Sequence, residues 1–120
     1  MIKNQNNKQY DLEERTLKFA RSVRDFTKKL PRTISNNEYV KQLIRSSSSI
    51  GANYIEANES LSKKDFRMRA MISRKEAKET RFWLQLIQSD SLDLEKESQL
   101  LLNEATELMK ILGAIVTNSQ

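Results

Sequence analysis

Ser46-Ser47-Ser48-Ser49-Ile50-Gly51-Ala52-Asn53-Tyr54-Ile55-Glu56 has the composition of a linker and the spacing of a helix. Leu43, Ile44, Ser47, Ile50, Gly51, Tyr54 and Ile55 recur at steps of three and four, the repeat of one buried helical face. Small residues on such a face let a neighbouring backbone come close. A second face of the same helix carries Arg45, Ser49, Asn53 and Glu56, polar but mostly short-chained. The stretch therefore predicts the middle of a helix packed on two sides.

Working outward, a preceding helix is expected over about residues 12–30. Asp11 and Glu14 have capping-box spacing, and Leu12, Thr16, Phe19, Ala20, Val23, Phe26 and Leu30 follow one face. Pro31 ends it, because proline disfavours helical geometry at Leu30 and donates no hydrogen bond. The serine-rich helix spans about residues 37–58, entered through Ser35 and Glu38 or capped by Asn36 or Asn37. Ser62 and Asp65 cap a third helix over about residues 63–88, with Phe66, Arg69, Ile72, Ser73, Glu76, Ala77, Thr80, Trp83, Leu84 and Ile87 inward. A fourth, over about residues 93–117, carries Leu94, Ser98, Leu101, Ala105, Leu108, Leu112 and Ile115, widened by Leu102, Met109 and Val116. Glu95 and Glu97 suit the positive end of its dipole. Four amphipathic helices on short connections predict an all-α, up-down-up-down antiparallel four-helix bundle over residues 11–118, preceded by a flexible polar tail over residues 1–10.

Composition agrees. A chain of 120 residues fits one core, and one proline with two glycines cannot supply the turns of an all-β fold. No cysteine is present, no apolar run reaches membrane-spanning length, and the first residues lack a signal-peptide core, so a cytoplasmic protein with no membrane role is expected. The net charge of +5 is uneven: residues 1–35 hold nine Lys/Arg against four Asp/Glu, and residues 61–90 hold eight against four. Residues 36–60 and 91–120 are net acidic.

If the second and third helices form a hairpin about Leu61, facing positions have numbers summing to about 122 by their shared rise. This register sets Arg45 by Glu76 or Ala77, Ser49 by Ser73, and Glu56 near Arg69. An interhelical polar ladder follows, with Arg45 paired to Glu76, Arg69 paired to Glu56 and Asn53 bridging.

Taken together, Pro31, Gln42-Leu43-Ile44-Arg45, Ser49-Ile50-Gly51-Ala52-Asn53-Tyr54-Ile55-Glu56, Asp65-Phe66 and the run from Ile72 to Leu84 give the chain its resemblance. The chain resembles the bacterial four-helix-bundle family of 23S rRNA intervening-sequence proteins over nearly its whole length. The resemblance implies a homo-oligomer, a pentameric ring, and extends to the accessory variability determinant of diversity-generating retroelements. That similarity implies association with nucleic acid and with a reverse transcriptase or another protein. Arg45, Ser49, Asn53 and Glu56 match the family's signature on the second helix, and Asp65, Glu76 and Trp83 match it on the third. Ala57 stands where many members have glycine, which puts the end of the second helix in question.

No enzyme is expected. Without histidine or cysteine, neither Ser-His-Asp nor Cys-His catalysis can be assembled, and the commonest zinc ligands are missing. A di-iron bundle needs Glu-x-x-His pairs, which the chain cannot supply, and no glycine-rich phosphate loop is present, so no cofactor is expected. Glu76 and Glu79 alone make a poor case for Mg²⁺. Trp83 shares the apolar stripe and is expected in the core or an interface rather than as a base-stacking platform. Lys63, Lys64, Arg67, Arg74, Lys75, Lys78 and Arg81, with several i,i+3 and i,i+4 spacings, are the nucleic-acid-binding candidates. Binding to RNA or DNA would be independent of sequence, since no helix-turn-helix, zinc finger or RNA-recognition motif appears. The competing reading is an assembly or scaffold protein that binds a protein partner.

Overall fold

The computed structural model describes the backbone of residues 2–120 and the side chains of residues 11–120; residues 2–10, expected as a tail ahead of the first helix, are instead its opening turns. Four α-helices follow in order: α1 Ile2–Thr27, α2 Ile34–Asn58, α3 Lys63–Leu86 and α4 Leu92–Asn118. Each packs on its two sequence neighbours, α1 closing on α4, and neither diagonal pair makes backbone-level contact among the described residues. The arrangement is the expected antiparallel four-helix bundle.

The helix ends show where local signals competed. Asp11 and Glu14 lie within α1 and do not start it, and the helix stops at Thr27. Lys29 N–H to Phe26 O and Leu30 N–H to Thr27 O tighten the exit into a turn ahead of Pro31, with Leu30 tucked into the core. Thr33, rather than Ser35, Asn36 or Asn37, caps α2, its hydroxyl accepting from Asn36 N–H at 3.0 Å. Asn36 is taken by a tertiary role instead: its amide donates to Pro31 O and Gln88 O, and its Oδ1 accepts from Gln88 N–H. One buried side chain thereby clips the α1–α2 loop to the α3–α4 loop. Ser62 caps α3 from Asp65 N–H as expected, Ser91 caps α4, and α2 runs through Ala57 to a cap at Glu59.

The serine-rich stretch is helical throughout. Its hydroxyls bond back along the helix, Ser48 to Ile44 O and Ser49 to Arg45 O, both at 2.7 Å, so they find acceptors without breaking the helix. The face it buries is Leu43, Ser46, Ser47, Ile50, Gly51, Tyr54 and Ala57. Ile44 and Ile55, expected on that face, stand exposed. Against α3 the small residues admit a close hairpin: Ser73 Oγ donates to Ile50 O at 2.7 Å, and the Thr80 and Ser46 hydroxyls lie 2.9 Å apart. Against α1, Gly51 sits so near Thr16 that a Cβ on it would lie 2.7 Å from Thr16 Oγ1. Phe19, Val23, Phe26, Leu43, Ile50, Leu84, Leu108 and Leu112 fill the space between. The thinnest seam, α1 on α4, is bridged by charge, Arg15 bidentate to Glu104 at 2.7 Å and Lys29 to Glu97 at 2.6 Å.

Candidate nucleic-acid interface

The polar ladder forms in part. Arg45 Nη1 donates to both Glu76 oxygens at 3.2 and 3.3 Å and also pairs with Glu79. Arg69 Nη1 reaches Asn53 Oδ1 at 3.4 Å. Glu56 is exposed and forms no ion pair with Arg69, so that rung of the expected ladder is absent. Glu56 lies outward of the α2–α3 contact, where hydration competes with pairing. Because the Arg45 side chain is 46% exposed, the ladder is a surface network. Glu76→Gln is accordingly expected to cost about 1 kcal/mol or less in urea unfolding; a loss above about 3 kcal/mol would instead identify a buried pair.

The seven basic candidates on α3 divide by environment. Lys63, Lys64, Lys75 and Lys78 are exposed. Arg67, Arg74 and Arg81, spaced by seven, are half-buried along the α3–α4 seam. Arg81 Nε donates to Thr106 Oγ1 at 2.8 Å, Arg74 lies along Gly113 of α4, and Arg67 Nε is buried without a partner among the described residues. Arg74 and Arg81 help to hold α4, and the lysines remain available to a ligand. Of the signature residues, Asp65 occupies the first turn of α3, and Trp83 is half-buried, packed against the core without lying inside it.

A second basic surface escaped motif-based reading. Lys18, Arg21, Arg24 and Lys28 repeat at three, three and four residues on the solvent face of α1, and Arg32 continues them into the loop; all five are exposed. Arg24 bonds Asp25 at 3.0 Å, a contact that holds the Asp25 carboxyl below its ordinary pKa and so keeps it charged. Lys18, Arg21, Lys28 and Arg32 make no ion pair among the described residues. Only the charge count over residues 1–35 signalled this row. Because α1 and α3 are diagonal in the bundle, the two basic faces point to opposite sides. Among the described residues no group of three or more acidic side chains is disposed to hold a metal, and no helix is long and apolar enough to cross a membrane.

Helical order, the close small-residue α2–α3 hairpin and the Arg45–Glu76 pair across it define a small antiparallel helical-bundle protein. The sequence profile described as 23S rRNA-intervening sequence protein matches residues 8–114, and the chain belongs to that family. Among solved structures it is similar, with a TM-score of 0.75 and 30% identity, to a protein of unknown function from the S23 ribosomal protein family of Bacteroides thetaiotaomicron. The match covers 92% of this chain and 98% of that one. Comparison with functionally curated proteins gives no match.

Proposed function

We propose that this chain is a non-enzymatic, cytoplasmic bundle protein that assembles with copies of itself, as a pentameric ring by family resemblance, and binds RNA or DNA without sequence preference. The observation that carries the reading is the α1 row, in which Lys18, Arg21 and Lys28 are exposed and make no ion pair among the described residues. A row of unpaired cations releases counterions when it meets a phosphate backbone, and repetition around a ring multiplies each weak contact. The exposed lysines of α3 add a second such surface on the opposite side.

Reversing Lys18, Arg21 and Lys28 to glutamate tests this in a fluorescence-anisotropy titration with labelled RNA and DNA. Affinity is expected to fall at least about tenfold at low salt for three lost phosphate contacts, with helicity and oligomeric mass unchanged. Equal affinity for the reversed chain would sink the α1 assignment. Lys75→Glu with Lys78→Glu probes the α3 side without touching the arginines that hold α4.

The scaffold reading has one observation in its favour. Phe82, 55% exposed, packs edge-on against Trp83, which itself lies beside Tyr39, and an exposed apolar cluster of this kind marks a candidate protein contact. Under that reading neither RNA nor DNA binds even at low salt, and substitutions in this cluster change the oligomeric mass.

A further inference from the structure

Three of the chain's aromatic side chains meet at the surface, outside the core. Tyr39 of α2 and Trp83 of α3 lie with ring centroids 6.1 Å apart and planes 32° from parallel, and Phe82 stands edge-on to Trp83 at 5.1 Å and 76°. Phe82 is 55% exposed, and Tyr39 and Trp83 are half-buried. The orientation of the indole is fixed, since its Nε1 donates to Glu79 at 3.2 Å while Glu79 is itself paired with Arg45. The carboxylate nearest the rings is thus already matched by a cation. Lys75 and Lys78, both exposed, precede Phe82 by seven and four residues, which sets them on the same face within about 10 Å along the helix.

We infer that, against the sequence-based expectation for Trp83, Tyr39, Phe82 and Trp83 form a stacking platform for the unpaired bases of single-stranded nucleic acid, with Lys75 and Lys78 on the adjoining phosphates. The inference rests on the nucleic-acid reading above and narrows it to single strands. Every base presents a π face, so aromatic platforms flanked by cations take single strands with little regard to sequence, whereas duplex bases are already stacked on one another. Orientation favours this use. Phe82 is not part of the bundle core, and the indole of Trp83 is pinned by a hydrogen bond that leaves its ring beside Phe82. The lysines lie on the exposed side of the same helix, where a backbone could run past the rings.

The chain has a single tryptophan, so Trp83 reports directly on the platform. Intrinsic fluorescence and anisotropy are measured with the full chain at low salt, using a 20-nucleotide oligo(dT), a 20-nucleotide oligo(U) and a DNA duplex of equal length. Both single strands are expected to quench Trp83. Phe82→Ala should weaken single-strand binding by about 5- to 150-fold, the span of one lost stacking contact, with duplex affinity unchanged within twofold. Phe82→Leu, which keeps an apolar side chain and removes the π face, should weaken it similarly. Unaltered single-strand affinity in both variants, with duplex still bound, overturns the platform and leaves the polyanion reading standing. Absence of binding to any of the three probes overturns both. A change in oligomeric mass for Phe82→Ala that Phe82→Leu does not share assigns the patch to protein contact and overturns the platform.

Discussion

Gly51→Leu is expected to destabilise the bundle by about 3 kcal/mol, the upper range for overpacking a tight contact. In an open helix, replacing glycine by a larger residue would raise stability, because glycine costs about 1 kcal/mol relative to alanine. At Gly51 the sign reverses. A Cβ there would stand 2.7 Å from Thr16 Oγ1 and 3.1 Å from Thr16 Cβ, inside contact distance of a β-branched side chain on the neighbouring helix. Thr16 cannot swing away cheaply, because it is buried and its hydroxyl bonds Glu13 O at 2.9 Å. Gly51→Ala should show the conflict in smaller form, its helix-propensity gain cancelled by the clash, and Thr16→Ala should restore part of that gain. Urea unfolding of the two single variants and the double variant gives the coupling, expected at about 1 kcal/mol for residues in direct contact. Wild-type stability in Gly51→Leu would mean that α1 and α2 are farther apart than described.

Asn36→Asp should be nearly as damaging, and in a pH-dependent way. The amide nitrogen of Asn36 spends both protons on carbonyl oxygens, Pro31 O at 3.1 Å and Gln88 O at 2.9 Å, in a site only 2% exposed. A carboxylate there faces two acceptors. The penalty is about 3 kcal/mol at neutral pH, as for other buried charges left without a partner. Repulsion and burial raise the folded-state pKa of the new carboxyl above its unfolded value of about 3.9. The variant is therefore least impaired below the unfolded pKa and loses stability as pH rises through the folded one. Asn36→Ala, which removes the bonds without adding charge, should cost about 2 kcal/mol at all pH values. Melting temperatures of both variants relative to wild type at pH 4 and pH 7 check the order. If Asn36→Asp is no worse than Asn36→Ala at pH 7, the loop clip does not hold as drawn.

Those two positions also mark how far the fold was legible in the sequence. Periodicity was enough to read the serine-rich stretch as helix, since the hydroxyls are satisfied within the helix and do not compete with it. The hairpin register was equally accessible, because Leu61 fixes the turn and the common helical rise does the rest, bringing Arg45 to Glu76. The cap of α2 was not accessible. Thr33, Ser35, Asn36 and Asn37 are all competent caps, and the choice is made by Gln88, 52 positions away, which claims Asn36. Ile44 and Ile55 share the three-and-four spacing of the buried face yet lie on its margin, where α1 does not cover them.

The candidate interface was read less completely. Motif-like clustering drew the eye to α3, where the run from Arg74 to Arg81 is densest. Charge alone cannot distinguish Lys78, which meets solvent, from Arg81, which bonds Thr106 across the seam. The α1 row is spread across eleven positions and interleaved with Leu17, Phe19, Val23 and Phe26, so only the helical projection gathers it. Phe82 has the same difficulty. It adjoins Trp83 in sequence, but the helix turns it outward by about 100° from its neighbour.

The central claim, a sequence-independent polyanion surface on α1, is tested most directly by the salt dependence of RNA binding. Labelled single-stranded RNA is titrated with wild type and with the Lys18→Glu, Arg21→Glu, Lys28→Glu chain at several salt concentrations, following anisotropy. For about four phosphate contacts, log affinity should fall against log salt with a slope of about −3, and removing three of those contacts should flatten it by about 2. Binding that salt does not weaken, or a slope identical in both proteins, would contradict the claim.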